Sequence, residues 1–384
     1  MTALLVVGDT FRTPALRHEV PIGIPDPFLF LETGGARHVA VTALETERVA
    51  ALDGLVVHAF EELGWDELIG RGLDHDTIRR EIAVNACRAL GVDEAVVPAG
   101  FPLAFAERLR EAGVAVRVDQ EAFDARRRVK SELELAGIRR AQRTAEAGMR
   151  ACAELLRRAA PADGGLAVDG TPLTVELVKR AIEQAFVEHG ATADDVIVAR
   201  GAQAAVGHEM GSGRIQAGEA IVVDLWPRDR QSACFADMTR TFVVGDAPER
   251  LREYHRLTLE ALELARGLVR PGVDGRSVHD AVCDHFEAHG HRTTRSKADG
   301  EVLRDGFIHG LGHGVGLEVH ERPSLGRFGD VLVAGDVVTI EPGLYRAGWG
   351  GVRLEDLLLV TEDGAETLTD FPYDLDPWPD RARV

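Results

Sequence analysis

Asp224, Asp237, His313, Glu341 and Glu355 are spread over the C-terminal half of the chain, each in a short segment able to present a metal ligand. Four carboxylates and one imidazole make an oxygen-rich donor set, suited to hard or borderline divalent cations such as manganese rather than to a thiolate site. Gathered in one buried spot, the four carboxylates would repel one another severely unless cations neutralised them. They are also more than one ion usually needs. The set therefore predicts a two-metal centre, and such centres mostly hydrolyse bonds.

The segments around these residues differ in how much they say. Asp224 ends an apolar run from Ala220 to Val223, where an unpartnered carboxylate is costly; the alternative is a residue capping the turn at Trp226-Pro227. Asp237 opens Asp-Met-Thr-Arg-Thr-Phe, which places hydrogen-bonding groups beside the carboxylate; the alternative is an edge-strand ion pair with Arg240. The stretch from Phe307 to Glu321 holds His309, His313 and His320 among four glycines, too many for a simple amphipathic helix. Glycines there let the backbone pack closely under a site, and histidines beyond the ligand can donate to a developing oxyanion. Glu341 precedes Pro342-Gly343. Arg353 and Glu355 share a face by strand alternation, so the guanidinium can hold Glu355 or bind a substrate carboxylate.

The elements that must position these groups look like a diverged duplication. Residues 215–224 resemble residues 332–341 at an offset of 341 − 224 = 117, each with an Ala-Gly-acid turn, an apolar strand and a terminal carboxylate. Upstream of each lie two helices, the second ending in His189-Gly190 or His289-Gly290. Two such halves facing one another would bring Asp224 and Glu341 together. The boundary before them falls near Arg126 to Lys130, where Ser131 and Glu134 form a capping-box signature. Leu135, Ile138, Ala145, Met149, Cys152 and Leu156 then recur at helical spacing towards Pro161, a core-packing stripe. Residues 1–125 read as an α/β domain without a catalytic cluster. Its predicted strands are 28–31, 38–42, 54–59, 95–98 and 114–118, and its helices 76–90 and 103–112. Residues 126–384 form the second domain.

A length of 384 residues fits two domains, and 45% hydrophobic with 28% charged residues is ordinary globular composition. A net charge of −19 argues against nucleic acid or an anionic membrane as the main partner. Four scattered cysteines form no metal-finger pair and predict buried free thiols in a reducing compartment. The run Ala3 to Val7 has no basic stretch before it, and no apolar segment reaches membrane-spanning length, so a cytoplasmic protein is expected.

In all five ligand positions, over about residues 126–365, the chain resembles the pita-bread metallopeptidases: Xaa-Pro aminopeptidases, prolidases and methionine aminopeptidases. The leading α/β domain resembles the prolidase and Xaa-Pro aminopeptidase branch. The resemblance implies an α+β protein, with a creatinase-like N-terminal domain followed by a pseudo-two-fold catalytic domain of antiparallel sheets covered by helices. It implies two metal ions (manganese, with cobalt, iron or zinc as alternatives) held by Asp224, Asp237, His313, Glu341 and Glu355, with Asp237 and Glu355 bridging. His208 and His320 match substrate-side histidines, His309 and Arg353 match site-lining positions, and Glu341 would relay a proton. The implied reaction is hydrolysis, by a metal-bridging hydroxide, of the bond between an N-terminal residue and proline, in a peptide with proline second, by a homodimer. Hydrolysis of another amide or ester, or a non-catalytic binding module on the same fold, are the alternatives. Three features depart from the family: Trp226 replaces a glycine, Asp224 and Asp237 lie 237 − 224 = 13 residues apart, two more than usual, and Cys234 and Phe235 stand where a tyrosine is common.

Overall fold

The computed structural model describes residues 1–377 and divides into two compact units, the first Met1–Arg127 and the second beginning at Arg128. The first is a six-stranded mixed sheet ordered Leu55–Ala59, Ala36–Val41, Phe28–Thr33, Thr2–Gly8, Glu94–Val97, Ala115–Val118. The apolar run at the N-terminus, which shows no alternation, is the fourth strand in this order. It is buried on both faces, pairing antiparallel with Phe28–Thr33 and parallel with Glu94–Val97. Helices His75–Ala89 and Leu103–Glu111 carry Ile78, Ile82 and Leu109 into the same core.

The second unit opens on the helix Glu132–Arg157. Ser131 Oγ accepts the Glu134 N–H at 3.2 Å while Glu134 accepts the Ser131 N–H at 2.9 Å, a reciprocal cap. The helix stops at Arg157 rather than running to Pro161, because Ala160–Ala162 turns into a short strand. Helices Val175–Glu188 and Glu249–Leu268 follow, then Gly275–Ala288; His189 and His289 cap equivalent ends, each with Nδ1 on the carbonyl four residues back. The four cysteines are buried and free.

Besides three small sheets of two or three short strands, two antiparallel sheets carry the site. One is ordered Ile197–Arg200, Ile221–Leu225, Met238–Phe242. The other is ordered Glu321–Leu325, Gly312–Gly314, Val337–Ile340, Asp356–Val360, Ala365–Thr367. Strand 221–225 lies centrally in the first and 337–340 centrally in the second, and each pairs with a strand that follows a second acid, Asp237 or Glu355. Alternation sorts the first sheet's side chains: Val222 and Ile197 join a core shared with the second half, while Ile221, Val223 and Leu225 pack with helices 132–157 and 175–188. The halves are stitched together by Glu355 N–H to Thr239 O (3.0 Å) and Thr241 Oγ1 to Arg353 O (2.9 Å). Fully buried Arg240 reinforces the seam through Asp356 Oδ1 (3.0 Å) and the carbonyls of Glu355 (2.7 Å), Phe371 and Pro372.

Candidate metal centre

The antiparallel register places Asp224 opposite Ile197 on one side and Thr239 on the other, near the end of the central strand. Asp237 stands one residue before strand 238–242, and Glu355 one residue before strand 356–360. His313 occupies the short strand 312–314, its N–H donating to Thr339 Oγ1 at 3.1 Å. That strand approaches 337–340 so closely that a Cβ on Gly312 would lie 2.0 Å from the Thr339 carbonyl oxygen. The glycines of the histidine-rich stretch thus serve close backbone approach.

Ligand atoms of Asp237, His313 and Glu355 lie within 4.8 Å of one another. His313 Nε2 is 3.5 Å from Glu341 Oε1 and 3.9 Å from Asp237 Oδ2. Asp224 lines the same cavity of about 790 Å³, but one of its oxygens is taken by Arg353 Nη2 at 2.5 Å. His208, His309, His320, Glu341 and Arg353 also line that cavity, with His208 and His320 exposed at their positions and Arg353 buried. The His320 ring lies edge-on to His313, centroids 4.2 Å apart. The partner of Arg240 is Asp356, not Asp237.

The electrostatics are severe for carboxylates. Burial, reinforced by Glu355, Asp224 and Glu341, pushes the Asp237 carboxyl well above its usual range. Glu355 is raised in the same way by burial, then Glu341 and Asp224. Burial pushes Glu341 up to about 8, with Arg353 opposing and Asp224 adding. Burial also pushes His313 and His309 down to about 3, leaving neutral imidazoles whose ring nitrogens can serve as ligands or donors. Asp224 Oδ1 and Asp237 Oδ1 are buried without a hydrogen-bond partner. Two orphaned carboxylate oxygens amid mutually repelling acids and a neutral imidazole are what a divalent-cation site of hard donors requires, so the residues fit the metals.

Tyr345 belongs to the site, and sequence reasoning missed it. Its hydroxyl lies 2.8 Å from His309 Nε2 and accepts from Arg353 Nη1 at 3.1 Å. Gly343 makes the room: a Cβ there would lie 2.5 Å from the hydroxyl. Alternation along strand 343–346 puts residues 343 and 345 on one face, but nothing local marks that face as the site's. Thr239 is a nearby support, donating to Glu355 Oε2 at 2.7 Å and accepting from Arg353 Nε at 3.3 Å.

With this geometry in view, residues 136–362, more than half of the chain, match the family model described as metallopeptidase family M24. The chain belongs to that family. Over 177 residues this M24 chain is 38% identical to the Xaa-Pro dipeptidase of Pyrococcus furiosus, covering 46% of this chain and 47% of that protein. It is 34% identical over 182 residues to a probable dipeptidase, PepE, of Mycobacterium tuberculosis, covering 47% and 45%. The matched stretch thus spans about half the length of these curated relatives. Among solved structures, the prolidase from Pyrococcus horikoshii OT3 is 26% identical with a TM-score of 0.75, covering 98% of this chain and 95% of that one. An X-Pro aminopeptidase from Thermotoga maritima is 22% identical with a TM-score of 0.78, covering 97% of each, a likeness of fold. The M24 chain has the pita-bread fold behind an N-terminal α/β unit. Among the described residues no helix is long and apolar enough to cross a membrane.

Proposed function

We propose that this M24 chain is a metal-dependent peptidase that hydrolyses the bond between an N-terminal residue and proline. The observation that carries this reading is the convergence of Asp224, Asp237, His313, Glu341 and Glu355 on one cavity, with two carboxylate oxygens buried and unpartnered. The names of similar proteins, Xaa-Pro dipeptidase and prolidase, supply the substrate class. Asp237, His313 and Glu355 would hold the metals together with Asp224 and Glu341. When bound, a pair of divalent cations supplies a nucleophilic water at neutral pH and polarises the scissile carbonyl.

The chain's own groups do the rest. Partial desolvation by the cavity wall, then His208, keeps the His320 imidazole below its ordinary range although one side of it faces solvent, so it stays neutral at pH 7 and donates an N–H to the developing oxyanion. His208 shares that edge of the cavity. Glu341, which lines the cavity, would relay a proton to the leaving proline nitrogen. That nitrogen carries no hydrogen in the substrate, so selectivity rests on ring shape. Tyr345 fixes His309 and Arg353, and Arg353 holds Asp224 in line. Manganese as the metal, a homodimer and a cytoplasmic enzyme belong to the same reading.

The test is release of proline from Xaa-Pro dipeptides, and of the first residue from longer Xaa-Pro peptides, by protein loaded with Mn²⁺. Activity on dipeptides alone marks a dipeptidase, and activity on both marks an aminopeptidase. No turnover of either, with two equivalents of metal bound, would falsify the proposal. Trp226 beside Asp224 in the cavity favours a second reading, hydrolysis of another amide or an ester, which a panel of such substrates with Leu-Pro as control separates.

A further inference from the structure

Trp226 is two residues beyond Asp224, and the residue before a proline is held to extended backbone, so Pro227 extends the alternation of strand 221–225 by one position. Val222, Asp224 and Trp226 accordingly share a face, and the indole packs on the same core as Val222. Met210 packs on that core too, and Ile197, cross-strand partner of Asp224, is part of it. All three line the cavity of the acidic centre, with Ile308 and Val319 contributed by the other half. The segment after Trp226 is pinned: Asp229 accepts from Arg140 (2.9 and 3.1 Å), from the Ser232 N–H (2.8 Å) and from the Ser232 hydroxyl (2.6 Å), and strand 228–229 pairs with 191–192. The backbone that follows the indole is therefore held in place, and the half-buried ring has the core beneath it.

We propose that Trp226, with Ile197 and Met210, is a specificity-determining wall that selects an apolar first residue in the substrate. The inference rests on the Xaa-Pro reading. Proline is invariant in that class, so the first residue is the side chain whose nature a wall can choose. An aromatic face flanked by two aliphatic side chains offers no hydrogen bond to a polar group and removes an apolar one from water. Differences of this kind are worth roughly 10- to 200-fold in kcat/KM.

The experiment compares kcat/KM for Leu-Pro, Gly-Pro and Asp-Pro in the metal-loaded full chain, W226A and W226F, with melting curves to establish that each variant is folded. We expect the wild type to favour Leu-Pro over the other two by about 10-fold or more, W226A to collapse that ratio, and W226F to restore most of it. A second readout does not depend on turnover. The reduced-bond analogue of Leu-Pro, with CH₂ in place of the scissile carbonyl, should shift the indole emission of the wild type and leave that of W226F unshifted. Cleavage of all three dipeptides without an apolar preference, or an equal loss on all three in W226A, overturns this inference alone. Absence of cleavage of any Xaa-Pro substrate overturns the peptidase reading beneath it, and the inference with it.

Discussion

Thr239 carries more of the site's order than its size implies. Its hydroxyl donates to Glu355 and accepts from Arg353, so one side chain sets the aim of a proposed ligand and of the guanidinium that restrains Asp224. Thr239→Val keeps the shape and removes both bonds. We expect metal affinity, measured by titration with Mn²⁺, to fall roughly 10- to 100-fold, the usual cost of losing a group that orients a ligand. Tyr345→Phe frees His309 and Arg353 together. It should lower kcat by about 10-fold or more, since hydrogen bonds to charged groups are worth about 1.5–3 kcal/mol. Bound metal per chain should be unchanged, and a loss of metal in Y345F would show that the hydroxyl holds the ligands instead. His313→Ala should reduce bound metal and abolish turnover.

At the scale of elements, the close approach of strands 312–314 and 337–340 makes Gly312 intolerant. Gly312→Ala would drive its Cβ into the Thr339 carbonyl, which cannot rotate away, and overpacking of this kind costs about 1–3 kcal/mol. Denaturant unfolding should show the lower stability, and a wild-type midpoint would refute the contact. The residues whose surroundings are local were legible beforehand. The Ser131–Glu134 cap, the strand-end placement of Asp224 and Glu341, and the paired helices with their His-Gly ends all follow from periodicity and repetition. What escaped detection depends on contacts distant in sequence. The partner of Arg240 is 116 residues away at Asp356, and Tyr345 becomes a site residue only when strand 343–346 folds beneath His309. The run Ala3 to Val7 escaped for a different reason: a strand buried on both faces has no alternation to read.

For the molecule as a whole, the acidic cluster ties folding to pH and to metal. In the metal-free chain the Glu341 carboxyl is held near 8 by burial, against 4.5 for an ordinary glutamate, so over that window the folded state binds more protons than the unfolded one. The stability this contributes is complete below about 4.5 and is lost as pH rises through about 8. Melting temperature after chelation should therefore fall as pH is raised across that window. Added Mn²⁺ should restore more stability at its upper end, where ionised ligands favour the bound state. A melting temperature rising with pH after chelation would contradict the weakened acidity of the cluster's carboxyls. The stitched seam between residues 239–241 and 353–356 has a further consequence, for the order of biogenesis. Asp224 and Asp237 leave the ribosome more than a hundred residues ahead of Glu341 and Glu355, with strands 238–242 and 356–360 unable to meet until the later acids have emerged. A nascent chain arrested in between carries two acids and no centre. The full set of candidate ligands therefore waits for residues 353–356, the last part of the site to be synthesised.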